Sequence, residues 1–400
     1  LWGLLLSLVF DPPLIKGEGN MHIEQRQRIK KRLDEAGIKQ ALFSHAESAT
    51  WLTGFAPSVE MGGNQFAGGP PLVWYEDGHF TLITLDWLAV FADQMSDQSD
   101  VDVVTYTGHT VDRPITSQRN LAEAFAGVLK NATSGQSVGV ELNTLPVFLY
   151  QVLERTLQPS AIEPVDGWIG QLRICKTDEE VAILRRTFAL TDLGHAAARQ
   201  ATKVGQREID VWAEIHSALN RHMGYRVPLG NDCIVTYREG ENQNIGGAPL
   251  AYPIKEDTAL IVDLSTRIDG YWSDSCATYY PQSPTELQIK LHRIIEEALE
   301  YAISLIKPGA LASEIDSKVR AFIERAGYPA YIHHTGHGVG VGLHEEPRIV
   351  PYNDLPLEPN MIVMLEPGIY IPNVTGVRLE DAVLVTQDGA EVLTKHDKSL

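Results

Sequence analysis

A chain of 400 residues, 44% hydrophobic and 21% charged, has the make-up of an ordinary globular protein and can bury more than one core, with room for roughly two to three domains. Its formal charge of −19, from 52 acidic and 33 basic residues, argues against a nucleic-acid or anionic-membrane partner and leaves a surplus of carboxylates that could serve as hard metal ligands. Cys175, Cys233 and Cys276 are widely spaced without a CxxC pair, which speaks against a disulfide scaffold and for a reducing, cytoplasmic setting.

The opening run LWGLLLSLVF is apolar but too short to span a bilayer, and it lacks the basic start and small-residue cleavage site of a signal peptide. Residues 1–20 are therefore expected to lie outside the folded unit, as a non-native or disordered leader ahead of Met21. IEQRQRIKKRLDEAG predicts an amphipathic helix over 22–36, ended by Gly37. KQALFSHA and WLTGF predict strands, and PPLVWYEDGHFTLIT predicts a hairpin turned at Asp77-Gly78. QSVGVEL adds a strand and LPVFLYQVLERTL a helix, so residues 21–168 read as a small α/β domain with no catalytic motif of its own. A second domain, 172–400, opens with Thr177 and Glu180 spaced as a capping box before a long helix. A helix over 206–222, strand-like DCIVTYREG and the run LIVDLSTRIDGYWSDSCATYY come next. Helices over 285–306, stopped at Pro308-Gly309, and over 313–326, closed by Gly327, follow. IHHTGHGVGVGLHEEP, MIVMLEPGIYI and GVRLEDAVLV then alternate loops and strands, giving an α+β pattern.

A two-residue turn at Asp269-Gly270 makes Ile268 face Tyr271, so that 263 opposes 276 and 265 opposes 274. Period two puts these four positions on one face, with the Cβ atoms of Asp263 and Asp274 about 7 Å apart or less. Two ionised carboxylates so close and largely out of water repel each other; a shared proton, a basic partner or a metal would relieve them. Further along, Glu366 ends the apolar run MIVML, Glu380 lies inside a strand pattern, and His337 and His344 sit in the glycine-rich segment. A histidine among several carboxylates suits Mn2+, Co2+, Fe2+ or Zn2+, the oxygen-rich set leaning towards Mn2+, and four carboxylates match the charge of two divalent ions. The glycines run G-x-G-x-G-x-G and do not form a dinucleotide fingerprint, and HEEP is not H-E-x-x-H.

Asp263, then Asp274 eleven residues on, GHG at 336–338 with a second histidine seven residues after the first, EPG at 366–368 and RLED at 378–381 form one ordered set. This order resembles the creatinase / aminopeptidase P / prolidase (M24) family of metallopeptidases, and the part containing WLTGF at 51–55 resembles that family's N-terminal domain. The resemblance implies a pita-bread catalytic domain, two α+β halves over a curved sheet, behind a smaller α/β domain. It implies that Asp263, Asp274, His337, Glu366 and Glu380 hold two divalent ions sharing a bridging hydroxide. His344 would steady the substrate or tetrahedral intermediate, and Glu366 would also take the proton from the attacking water. Arg378 would engage the second glutamate or a substrate carboxylate. A homodimer is expected on the same grounds.

Two departures from that family stand out. Its peptidases carry a further histidine before the first aspartate; the aligned residue here is Gly247, and no histidine lies between His222 and Asp263. They also read D-x-T-R-T after the second aspartate, where this chain has DSCAT, with Cys276 and Ala277 in place of Thr and Arg and Thr278 kept. The expected function is a dinuclear metallohydrolase, an Xaa-Pro dipeptidase or aminopeptidase acting on small peptides. The alternatives are a hydrolase of a non-peptide amide or cyclic amidine, similar to ectoine hydrolase or creatinase, and a non-catalytic binding module of the same fold.

Overall fold

The computed structural model describes residues 22–58, 64, 66–92, 99–230, 232–238 and 245–400, so the leader expected at 1–20 lies outside the described residues. These form two compact units, 22–173 and 174–400. No helix among the described residues is long and apolar enough to cross a membrane.

The first unit contains α1 (Ile23–Glu35), β1 (Gln40–Phe43), α2 (Ala46–Thr53), β2 (Leu72–Glu76), β3 (His79–Leu85), α3 (Ala89–Ala92) and β4 (Val101–Tyr106). It continues with α4 (Ser117–Leu129), β5 (Ser137–Val140), α5 (Val147–Leu157), β6 (Ala161–Pro164) and α6 (Trp168–Leu172). Its strands make one mixed sheet in the order β4-β3-β2-β1-β5-β6. The β2–β3 hairpin turns at Asp77 and Gly78, both at positive φ. Apolar residues at helical spacing, Leu121, Phe125 and Leu129 on α4 and Leu149, Leu153 and Leu157 on α5, pack with Leu42, Trp74 and Ile83 into one core. The strand expected at WLTGF is not there: Trp51, Leu52 and Thr53 form the last turn of α2, and Gly54 caps it at φ 75° with its N–H on the Thr50 carbonyl. Trp, Thr and Phe favour strands, but the helix starts upstream at Ala46, and a glycine just past it takes the left-handed cap without a Cβ clash.

The second unit begins with α7 (Asp178–Ala201), α8 (Glu208–Met223), β7 (Leu229–Gly230), β8 (Cys233–Val235), β9 (Leu260–Ile268), β10 (Tyr271–Trp272) and β11 (Ser275–Tyr279). Next are α9 (Glu286–Leu305), α10 (Ala312–Arg325), β12 (Gly336–Gly338), β13 (Glu345–Ile349) and β14 (Ile362–Leu365). It closes with β15 (Gly368–Ile371), β16 (Thr375–Arg378), β17 (Asp381–Val385) and β18 (Ala390–Val392). Thr177 and Glu180 cap α7 reciprocally, as their spacing predicts. In one half β9 pairs with β7, β8, β10 and β11, and α7 and α8 cover it through Leu190, Val211, Ile215 and Leu219. In the other the order is β13-β12-β14-β17-β18, covered by Leu291, Ile295 and Ala298 of α9 and Val319 and Ile323 of α10. Two antiparallel sheets, each backed by a helix pair, make the expected α+β pita-bread pattern.

Candidate metal centre

Pairing of Asp263 with Cys276 and of Ile268 with Tyr271 gives the hairpin the register read from its turn, and Asp269 and Gly270 both take positive φ. Asp274 falls between β10 and β11, and both aspartates are buried. The other half supplies His337 from the middle of β12, Glu366 just past β14 and Glu380 just before β17; all three are buried. Ligand-type atoms of Asp274, His337 and Glu380 lie within 4.8 Å of one another. His337 Nε2 is 3.6 Å from Asp274 Oδ2 and 3.8 Å from Glu366 Oε1. Four of the expected residues therefore converge directly, and Asp263 joins them beside Asp274 while being held by Arg378.

The electrostatics follow from this convergence. Burial, then the charges of Asp263 and Glu366, push Asp274 well above the ordinary carboxylate range. Burial, then Asp274, Asp263 and Glu366, do the same to Glu380, with Arg378 opposing them. Burial also opposes ionisation of Glu366, but a hydrogen bond with His334 and the fields of His333, His337 and Arg378 hold it down at about 2. Burial takes His337 down to about 3. Its Nδ1–H donates to the Gly338 carbonyl at 2.8 Å, which leaves the Nε2 lone pair facing the carboxylates. One fixed imidazole lone pair and several carboxylates that resist ionising together fit divalent cations, whose charge would offset the repulsion.

Of the two partners expected for Arg378, a substrate carboxylate or the second glutamate, its hydrogen bonds do not take the second glutamate. Its Nη2 donates to Asp263 Oδ2 (2.7 Å) and Asp232 Oδ2 (2.8 Å), and its Nη1 to the Ile245 carbonyl (2.6 Å) and the Tyr370 hydroxyl (3.3 Å), so it serves the first aspartate and not the second glutamate. The cause is Thr278, whose hydroxyl accepts the Arg378 N–H (3.0 Å) and donates to its carbonyl (2.9 Å), fixing that backbone against β11. Sequence reasoning missed Asp232, which also accepts the Gly247 N–H at 2.7 Å, and His334, whose Nε2 stands 2.7 Å from Glu366 Oε1. An acid directly ahead of the strand-like CIV and the His doublet ahead of TGHG were their only signals. His344 is exposed, its ring 4.2 Å from that of His337 and 5.8 Å from that of His334. Burial lowers its pKa.

The two departures in sequence also have physical settings. Gly247 has φ 153°, where side chains are strained, although among the described residues a Cβ would meet just Ile234, at 3.9 Å. Ala277 is fully buried in the core of the first half with Leu260 and Val262. Cys276 is equally buried, and that burial pushes its thiol up, away from reactivity.

Comparison with known proteins agrees with this geometry. The pattern of metallopeptidase family M24 matches residues 182–387, and that of the creatinase/prolidase N-terminal domain matches 25–175. The Xaa-Pro dipeptidase of Pyrococcus furiosus is 33% identical over 94% of this chain and 99% of its own, and that of Lactobacillus helveticus is 34% identical over 68% and 74%. The crystal structure of the prolidase from Pyrococcus horikoshii OT3 superposes with a TM-score of 0.78 at 26% identity, covering 94% of this chain and 99% of that one. The chain belongs to metallopeptidase family M24, as a hydrolase whose catalytic unit follows a creatinase/prolidase N-terminal domain.

Proposed function

We propose that this chain is an Xaa-Pro dipeptidase or aminopeptidase, cleaving the amide bond before proline in small peptides. The observation that carries the reading is the buried convergence of Asp274, His337 and Glu380 with Glu366 alongside and Asp263 pinned by Arg378. The near-complete match to relatives named Xaa-Pro dipeptidase supports the substrate. Asp263, Asp274, His337, Glu366 and Glu380 would hold two divalent ions, by preference Mn2+, with Co2+, Zn2+ or Fe2+ as alternatives. Such ions, when bound, polarise a carbonyl and acidify water.

The side chains divide the remaining work. Glu366, its Oε1 2.7 Å from His334 Nε2, would take the proton from the attacking water and pass it to the leaving nitrogen. Arg378 keeps Asp263 in place from behind. His344, the most exposed imidazole of the three-histidine group, would donate a hydrogen bond to the substrate carbonyl as it becomes tetrahedral. Cytoplasmic location is supported by three cysteines with no CxxC pair, and a homodimer is proposed with it; a single-chain mass in light scattering would remove the dimer.

Gly247 and the DSCAT stretch favour a second reading, hydrolysis of a non-peptide amide or cyclic amidine. Assays of Mn2+-loaded protein against Xaa-Pro dipeptides, longer Xaa-Pro peptides and ectoine-like cyclic amidines separate the readings. Release of proline from dipeptides is expected, and no turnover of any proline peptide at any metal loading would overturn the proposal. A purified protein that neither binds nor is activated by transition metals would leave only a binding module.

A further inference from the structure

His344 is carried by GVGVGLHEE, whose glycines give the segment little stiffness of its own. The neighbouring side chain is fixed instead. Glu345 points inward, its Oε2 2.8 Å from Lys176 Nζ and its Oε1 accepting the Gly342 N–H at 2.6 Å. Lys176, 1% exposed, lies two residues ahead of α7, and its own N–H bonds the Asn360 carbonyl at 2.8 Å. Lys176 also acts on Glu180, the capping-box carboxylate, which accepts the Tyr271 hydroxyl at 3.1 Å. Next to Tyr271, Trp272 donates its N–H to the Gly340 carbonyl at 2.7 Å. Beyond the pairing of Glu345 with Gly338 where β13 joins β12, the segment 340–345 is thus tied by main chain to β10 and by a carboxylate to Lys176. There is no slack between the ties: a Cβ on Gly340 would come within 2.7 Å of Glu345 Oε2.

A buried ammonium between two buried carboxylates is a poor source of stability, because desolvation cancels much of the attraction; its use is to select one conformation. We propose that Lys176 is a positioning residue, which through Glu345 sets where the His344 imidazole stands relative to His337. The inference rests on the reading of His344 as a substrate-contacting group. Lys176 and Glu345 would govern turnover and leave metal binding alone.

The test is a double-mutant cycle on full-length Mn2+-loaded protein, using the best substrate of the panel above, with hydrogen exchange on the metal-free protein beside it. Lys176→Met and Glu345→Gln should each lower kcat by about 10- to 100-fold with KM and metal content little changed. In a His344→Ala background each should cost less than about 2-fold, because the group they position is gone. Hydrogen exchange read by mass spectrometry should speed up across 339–345 in both variants and stay unchanged across 362–385. Additive losses in the His344→Ala background, or unchanged exchange across 339–345, would overturn the inference while leaving the role of His344 intact. Near wild-type turnover of His344→Ala itself would remove that role and the inference with it. Should Lys176→Met fail to fold, Glu345→Gln completes the cycle by itself.

Discussion

Each unit buries carboxylates, and Glu141 of the first and the clustered acids of the second are treated in opposite ways. In the first unit Glu141 is 4% exposed and receives the Ser44 N–H (2.8 Å), the His45 N–H (2.9 Å) and the Ser48 hydroxyl (2.6 Å). In the second, Asp274 receives the Ser265 hydroxyl at 3.2 Å and has His337 Nε2 at 3.6 Å, but it also meets the charges of Asp263 and Glu366, while Glu380 meets those of Asp274, Asp263 and Glu366. Burial pushes all three upwards, so burial alone does not separate a structural carboxylate from a chemical one. The neighbours do. Glu141 meets a ring of donors that ties β1 and α2 to the end of β5, whereas Asp274 and Glu380 meet like charge that a cation would complete.

Several variants would break or sharpen this contrast. The largest effect is expected from Glu366→Gln, a loss of roughly 10³-fold or more in kcat with circular dichroism unchanged; turnover within a few-fold of wild type would remove Glu366 as the base. Glu141→Ala strands the backbone N–H groups of Ser44 and His45, at about 3 kcal/mol of stability in denaturant titration, with kcat at saturating metal preserved. A cost near zero would mean that water or a rearranged loop replaces the carboxylate.

Acid should also act on the first unit, through His22. This buried imidazole donates from Nδ1 to the Trp51 carbonyl, and burial takes its pKa down to about 4. The unfolded chain takes up that proton near pH 6.5 and the folded one only near pH 4, so stability is full above 6.5 and is lost as pH falls towards 4, by on the order of 3 kcal/mol. His22→Gln should flatten that part of the pH dependence; an unchanged slope between pH 6.5 and 4 would assign it elsewhere.

In the second unit, Mn2+ at a hundred times its dissociation constant should add about 2.7 kcal/mol to the stripped protein. Calorimetry showing no shift in melting on adding metal to the chelated protein would count against a metal centre. The smallest effect is expected from Glu380→Gln in metal-free protein, a gain of up to about 1 kcal/mol by relief of repulsion, together with loss of the metal-induced shift. Destabilisation of the stripped protein by that change would place Glu380 with Glu141, as a structural carboxylate.

The hairpin register, the capping box at Thr177 and the order of the five candidate ligands were legible because each rests on local spacing: a two-residue turn, an i,i+3 pair and a run of motifs. WLTGF was misread because its strand-favouring residues are the tail of a helix that starts five residues earlier. The pairing of Arg378 with Asp232 spans 146 residues and that of Lys176 with Glu345 spans 169, and no periodicity carries such contacts. His334 was hidden differently: its neighbour His337 matched a known pattern, and only the fold shows that Glu366 lies within reach of both.

Thr278 grips Arg378 by both its N–H and its carbonyl, and the Glu380 N–H bonds the Cys276 carbonyl at 2.9 Å. β11, which follows Asp274, and the stretch that leads from β16 into Glu380 are therefore seamed by peptide groups and the Thr278 hydroxyl, with the Cys276 thiol 3.7 Å from the Arg378 carbonyl. Substitution at 276 or 277 would keep the peptide part of that seam whole, since every residue type except proline brings the same carbonyl and amide. The spacing between the acids here therefore depends on main chain and on Thr278 more than on the side chains at 276 and 277.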